Sequence, residues 1–328
     1  MSAGHAAGAG TGHAAVVGAG HAAVVGAGVI GGGWAALFLA HGLDVVAHDP
    51  ADGAEERLRE SVRRAWPALA RLGLAEGADP HRLRFTDSAA EAADGACFVQ
   101  ESGPEQEDAK RRLLAELDEA APPSTPLASS SSGLTPTTLQ TMCARRPERV
   151  LVGHPFHPSH LIPLVEVVPG TRTERSVVEE TVRFYTALGK RPVLVRREVP
   201  GHVTNRLQAA LWREAYSLVE RGVATVADID TAVSEGPGLR WALLGPLVNQ
   251  HLSGGAGGMA RTLDHLGPPA QRWMDDLGTP RLTPALTEAL VRGVDEELAG
   301  VDQERMVADR DELLVRLIEE KRRRRSLP

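Results

Sequence analysis

The sequence predicts an α/β N-terminal domain built on a mostly parallel sheet, followed by an all-α C-terminal domain. Three observations predict it. A glycine turn near the N-terminus stands between a short apolar strand and a helix. Strand-like and helix-like segments then alternate, as a parallel sheet requires. From Pro200 onward the strand pattern stops. A chain of 328 residues is long enough for two such domains.

The first feature met is a repeat. Gly-His-Ala-Ala-Val-Val-Gly-Ala-Gly occurs at Gly12–Gly20 and again at Gly20–Gly28, with a partial echo at Gly4–Gly10. A period this short builds no repeat architecture. It reads as a duplicated first strand trailing out into a Gly/Ala-rich tail over residues 1–21, expected to be disordered. The second copy is the functional one. Ala22–Val25 is an apolar strand, Gly26-Ala27-Gly28-Val29-Ile30-Gly31 completes a GxGxxG spacing, and Trp34–Ala40 continues as a helix. The first copy has Ala23 in place of the third glycine and runs into another strand.

The alternation continues through a strand at Asp44–His48, a helix at Arg57–Leu74, a strand at Ala96–Gln100 and an amphipathic helix at Glu105–Ala120. Pro126–Ala128 leads into the serine run Ser129–Ser132. Further strands are expected at Arg149–Gly153, Leu164–Val168 and Pro192–Val195, with a helix at Thr173–Leu188. The domain boundary is expected near Val199-Pro200-Gly201, giving domains over 22–199 and 200–328. Helices are expected at Val203–Arg221, Val226–Ser234, Leu243–His251 and near Val301–Lys321, with a glycine-broken stretch to Leu266.

Composition limits the function classes. A net charge of −7 argues against nucleic acid as a partner, because phosphate binding needs a basic face. The basic run Lys321–Arg325 complements the C-terminal end of a helix dipole instead. No apolar run is long enough to span a membrane, and the N-terminus lacks the pattern of a signal peptide. Two cysteines, Cys97 and Cys143, suggest neither a metal site nor a disulfide framework, which fits a reducing cytoplasm.

The glycine turn is a physical device. Gly26 permits the tight turn, Gly28 lets the backbone approach a pyrophosphate, and Gly31 allows close helix–strand packing; Val29 and Ile30 open the helix. This is the Rossmann arrangement. Asp49, 23 residues after Gly26, ends the second strand near the ~20-residue spacing at which a carboxylate binds the adenosine ribose. An acid there repels a 2′-phosphate, so NAD is expected over NADP.

Ser132 and His154 each follow a strand at the carboxyl edge, where α/β sheets bind ligands. A hydride-transfer enzyme needs a base for the alcohol proton, and a neutral histidine suits that. Glu166 interrupts the apolar Leu164–Val168, and a buried carboxylate needs a partner such as histidine. Taken alone, His154 also fits a satisfied core histidine, Ser132 a solvated loop and Asn205 a cap.

Together these elements resemble the 3-hydroxyacyl-CoA dehydrogenase family. The resemblance runs from about Ala22 and rests on Gly26–Gly31, Glu105 to Lys110, Ser129–Leu134, Gly153-His154-Pro155-Phe156, Pro163–Val168 and Pro200–Leu207. It implies a catalytic His154 held by Glu166, with Ser132 and Asn205 on the substrate oxygen. It also implies Glu105 and Lys110 near the nicotinamide and ribose, and a homodimer formed through the C-terminal domain. His157 stands where the family usually has asparagine, close to the catalytic histidine. The stretch Ser234–Pro246, with Gly238-Leu239-Arg240-Trp241, resembles the L-gulonate 3-dehydrogenase and lambda-crystallin branch, and carnitine dehydrogenases carry a similar stretch. Arg240 could pair with a substrate carboxylate, which a free hydroxy acid needs and a thioester does not. The expected reaction is therefore NAD-dependent oxidation of a small 3-hydroxy acid, with an L-gulonate-like substrate first. Carnitine ranks lower, because its quaternary ammonium favours an aromatic cage and aromatics make up 4% of the chain. A hydroxyacyl-CoA substrate and a non-catalytic, crystallin-like role are the alternatives.

Overall fold

A computed structural model describes residues 20–324 together with Ser326 and Leu327. The upstream glycine copy and all of the tail before Gly20 lie outside the described residues. The chain divides into two compact units, one ending at Asn205 and one beginning at Arg206.

The first unit is an eight-stranded sheet in the order β3-β2-β1-β4-β5-β6-β7-β8. Its strands are β1 His21–Val25, β2 Val45–His48, β3 Leu83–Phe85, β4 Ala96–Glu101, β5 Leu127–Ser129, β6 Val150–Pro155, β7 Leu164–Pro169 and β8 Arg191–Leu194. Strands β1 to β6 run parallel, with the order reversing between β1 and β4. Ligands bind at such a reversal in open α/β sheets. β7 then pairs antiparallel with β6, and β8 runs parallel to β7.

Both faces of the central strands are covered, which is why those strands read as near-continuous apolar runs, whereas the edge strand β8 is largely exposed. Alternate residues of β1 divide between two cores. Ala22 and Val24 join a cluster with α1 (Val29–Ala40), α2 (Ala54–Leu72) and α6 (Arg175–Ala187). Ala23 and Val25 join a second cluster with α3 (Ala89–Ala93), α4 (Glu107–Ala120) and α5 (Pro136–Leu139). α1 is buried from Gly31 to Ala40. α2 buries only the stripe Ala54, Leu58, Val62, Ala65 and Leu69, leaving Arg59–Glu55 and Arg64–Glu60 pairs in solvent. Trp34, Phe38, Phe98, Phe184 and Tyr185 form a stacked and edge-on aromatic centre under the sheet.

Lys190 is buried in this unit, without a carboxylate partner among the described residues. Its ammonium lies 5.0 Å over the Trp34 ring and donates to the carbonyls of Ser159 and Ile162. Burial pushes it down to about 7 from the usual 10.5. Between those two values the unfolded chain holds a proton that the folded chain has released, so stability rises with pH across that window. The stability difference between wild type and Lys190→Met should therefore widen in favour of wild type from about pH 7 to pH 10 in urea melts. A difference that stays constant with pH would contradict this.

The second unit is helical. α7 (Thr204–Glu220) leads into α8 (Val226–Ser234), α9 (Pro237–Trp241), α10 (Pro246–Ser253), α11 (Gly258–Asp276), α12 (Pro284–Glu297) and α13 (Gln303–Arg323). A capping box between Thr225 and Asp228 starts α8, Thr283 caps α12 and Asp302 caps α13. α11 runs through Pro268 and Pro269, and α12 fills a stretch for which the sequence pattern predicts no element. Among the described residues this unit buries few large apolar side chains, namely Leu286, Val315 and Ile318, while Leu207, Trp212, Leu247, Trp273 and Met274 stand in solvent. No described helix is long and apolar enough to cross a membrane.

Candidate active site

The site lies at the carboxyl edge of the sheet in the first unit. Gly26 ends β1 with φ +98° and donates its N–H to the His48 carbonyl at 2.8 Å. A Cβ on Gly26 would sit 2.4 Å from the Ser102 carbonyl carbon, and one on Gly31 would sit 1.8 Å from the Gly26 oxygen. Beyond its own chain neighbours and helix backbone, no heavy atom of the described residues lies within 4 Å of the Cβ position at Gly28, so the ground before α1 is open. The first turn of α1 carries no acid and no side-chain cap, which leaves its N–H groups and positive dipole end for an anion. Asp49 follows β2, and its carboxylate accepts from the N–H groups of Ala27 at 2.7 Å and Ala51 at 2.9 Å. That carboxylate is half-buried beside the glycine turn, where an adenosine ribose would lie. These residues fit a dinucleotide. Val29 is exposed, and the Ile30 carbonyl accepts from Ser159 Oγ at 3.0 Å.

A second group of contacts shapes the loops after β4 and β5. Glu105 Oε1 accepts from Ser131 Oγ at 2.6 Å and from the N–H groups of Ser132 at 2.9 Å and Gly133 at 3.0 Å. Burial works to raise its carboxyl, but the Ser131 hydroxyl, Lys110 and these N–H groups hold it below the usual range. Lys110 itself is buried. Its ammonium donates to Glu101 at 2.9 and 3.1 Å and to the Gly103 carbonyl at 2.9 Å, with Glu105 at 3.7 Å. The resemblance puts Lys110 beside the cofactor; the structure spends its charge inside the protein, on the loop that carries Glu105.

The antiparallel β6–β7 pair sets His154 directly opposite Glu166. His154 Nδ1 lies 2.9 Å from Glu166 Oε2, and both side chains are nearly or fully buried. The other Glu166 oxygen accepts from Val203 N–H at 3.0 Å, Thr204 N–H at 2.9 Å and Thr204 Oγ1 at 3.2 Å. Burial tends to raise this carboxyl, yet the hydrogen bonds from His154, Thr204 and Val203 hold it below its ordinary value. An ionised Glu166 makes Nδ1 of His154 the donor and leaves Nε2 as the free base. Asn205, at the start of α7, donates to the Ser132 carbonyl at 2.9 Å.

His154–Glu166 and Ser132–Asn205 are thus two contact pairs in the first unit, joined by the chain where Thr204, which binds Glu166, precedes Asn205. His157 is exposed just after β6. Arg240 is exposed on α9 of the second unit, with no carboxylate partner among the described residues. Sequence reasoning missed Glu101, Ser131 and His202. Glu101 could have been found as Glu166 was, being an acid that closes an apolar strand.

Comparison with known proteins fits this geometry. The NAD-binding domain of 3-hydroxyacyl-CoA dehydrogenase matches residues 21–199, and the C-terminal domain of the same enzymes matches residues 201–295. The chain belongs to the 3-hydroxyacyl-CoA dehydrogenase family. It is therefore an NAD-dependent dehydrogenase. An L-carnitine dehydrogenase of Streptomyces coelicolor is 52% identical over 290 residues, covering 88% of this chain and 91% of that protein. One of Bacillus cereus is 46% identical, covering 89% of each. The solved structure of 5-formyl-3-hydroxy-2-methylpyridine 4-carboxylic acid 5-dehydrogenase, an NAD-dependent dismutase, has a TM-score of 0.80 at 31% identity, covering 92% of this chain and 98% of that one.

Proposed function

We propose that this chain oxidises L-carnitine, a 3-hydroxy acid bearing a quaternary ammonium, to its 3-oxo acid. The observation that carries the reading is the 52% identity with the Streptomyces coelicolor L-carnitine dehydrogenase across nearly the whole of that protein. NAD, when bound at Gly26–Gly31 and Asp49, supplies the hydride acceptor. His154 Nε2 takes the hydroxyl proton, and ionised Glu166 stabilises the imidazolium that results. Ser132 and Asn205 hold the reacting oxygen.

This reverses the order expected from composition, in which an L-gulonate-like acid came first. A bulk aromatic fraction says nothing about placement. Trp212, Trp241 and Trp273 all lie in the helical unit, and Trp241 directly follows Arg240 on α9. One short helix thereby carries a cation suited to a carboxylate and an aromatic face suited to a quaternary ammonium.

The test is NAD reduction with L-carnitine, L-gulonate and 3-hydroxybutyryl-CoA. L-Carnitine should give the highest kcat/KM. Arg240→Leu should lower kcat/KM for it by roughly 10- to 100-fold, the worth of a charged hydrogen bond, and leave the thioester little changed. Preference for gulonate or the thioester would overturn the reading. The cytoplasm is the proposed compartment, consistent with free Cys97 and Cys143. A homodimer through the helical unit would cover Trp212, Leu247, Trp273 and Met274, which stand 47%, 68%, 65% and 62% exposed. Sedimentation should give twice 34.9 kDa, and a single-chain mass would contradict it.

A further inference from the structure

His202 has no part in the chemistry above, yet it is fully buried against it. Its ring centroid lies 5.5 Å from that of His154, the two planes tilted by 54°. Its backbone is left-handed, at φ +51°, the one non-glycine residue among those described with a positive φ. Histidine tolerates that region better than most residues, but glycine would adopt it without strain. The side chain must therefore contribute what glycine could not. The turn has its own purpose, because the next two residues, Val203 and Thr204, present their N–H groups to Glu166.

The ring is fixed at one end. His202 Nε2 lies 3.1 Å from the Ser131 carbonyl, and a carbonyl only accepts, so Nε2 carries the hydrogen. Nδ1 is then a lone pair, buried and without a partner among the described residues. The Ser131 loop continues into Ser132, whose N–H is held by Glu105 and whose carbonyl is held by Asn205. His202 thus touches the serine loop on one side and the His154–Glu166 pair on the other.

We propose that His202 is a positioning residue for His154, a neutral imidazole that locks the base and the serine loop into one arrangement. The proposal rests on the reading of His154 as the base. The charged and titratable groups facing the ring are His154 on β6, Glu166 on β7 and Glu105 before α4, with Lys110 behind Glu105. Burial lowers the proton affinity of His202 and the neighbouring His154 adds to this, while the Ser131 carbonyl, Glu166 and Glu105 oppose it. Neutrality matters for turnover. When His154 accepts the alcohol proton it becomes a cation, which a neutral neighbour permits and a charged one resists. Protonating His202 would also give Nδ1 a hydrogen with no acceptor and disturb the residues that bind Glu166.

Three variants separate the possibilities. His202→Gly keeps the left-handed turn and removes the ring; His202→Phe keeps a ring and removes its nitrogens; His154→Asn checks the base itself. His202→Gly should keep its folded circular-dichroism spectrum and its KM for NAD while kcat falls roughly 10- to 100-fold, the scale of a misplaced reacting group. The acid limb of kcat/KM for wild-type oxidation should steepen from one proton toward two as His202 titrates, and His202→Phe should keep a one-proton slope. Wild-type kcat in His202→Gly, or superimposable acid limbs in wild type and His202→Phe, would overturn the proposal. Should His154→Asn keep full activity, the reading of the base fails instead, which is a distinct result.

Discussion

Replacing His154 by asparagine is expected to lower kcat for hydroxy-acid oxidation by roughly 100- to 10,000-fold, the usual contribution of a positioned general base. Asparagine can still donate to Glu166, so the buried carboxylate keeps a partner and the fold is spared. What is lost is the free ring nitrogen. His154 is 4% exposed, so bulk water is poorly placed to substitute. Nothing at Gly26–Gly31 or Asp49 depends on the ring, and the NAD dissociation constant should stay within a few-fold of wild type. Steady-state kinetics together with calorimetric titration of NAD separates the two quantities. A variant that loses NAD binding along with activity would show a collapsed site rather than a missing base.

The second large effect is on stability. Lys110→Met should destabilise the first unit by about 3–5 kcal/mol, the cost of stranding one partner of a buried ion pair. Lys110 and Glu101 are 1% and 0% exposed, and the Glu101 carboxylate also accepts from Ser129 Oγ at 2.5 Å and Gly103 N–H at 2.6 Å. These contacts hold the carboxylate where it is, so it cannot turn to water when its cation is removed. Changing both partners, as Lys110→Met with Glu101→Gln, should recover part of the loss because no full charge stays buried. Urea denaturation of the two variants checks this. If the single variant melts with the wild-type midpoint, the pair is not structural. The outcome bears on the site too, because this pair supports Glu105, which holds the N–H groups of Ser132 and Gly133.

The sheet and the base could be read in advance for the same physical reason. A buried strand excludes charge, so Glu166 within Leu164–Val168 announces a partner, and His154 after an apolar strand is a candidate for it. The glycine turn was equally legible, because the backbone clashes at Gly26 and Gly31 leave little choice of residue. Other features carry no such signal. β3 and α3 are too short for periodicity, and α11 runs through Gly267-Pro268-Pro269, residues that usually break a helix. The antiparallel turn into β7 depends on pairing, which strand pattern alone does not report. His202 sits in a motif quoted for its other residues, and its burial and left-handed backbone become visible only in three dimensions. Composition could not rank the substrates because it averages over the chain, while Arg240 and Trp241 are neighbours on one helix.

The most direct test of the central claim follows the hydride itself. L-Carnitine deuterated at its hydroxyl-bearing carbon is incubated with wild-type protein and NAD, and the reduced nucleotide is recovered for mass spectrometry. Wild type should place one deuterium on the nicotinamide of each reduced cofactor, and His154→Asn should give almost no reduced cofactor over the same period. Reduced nucleotide without deuterium, no reduction of NAD by wild type, or equal labelling by both proteins would contradict it.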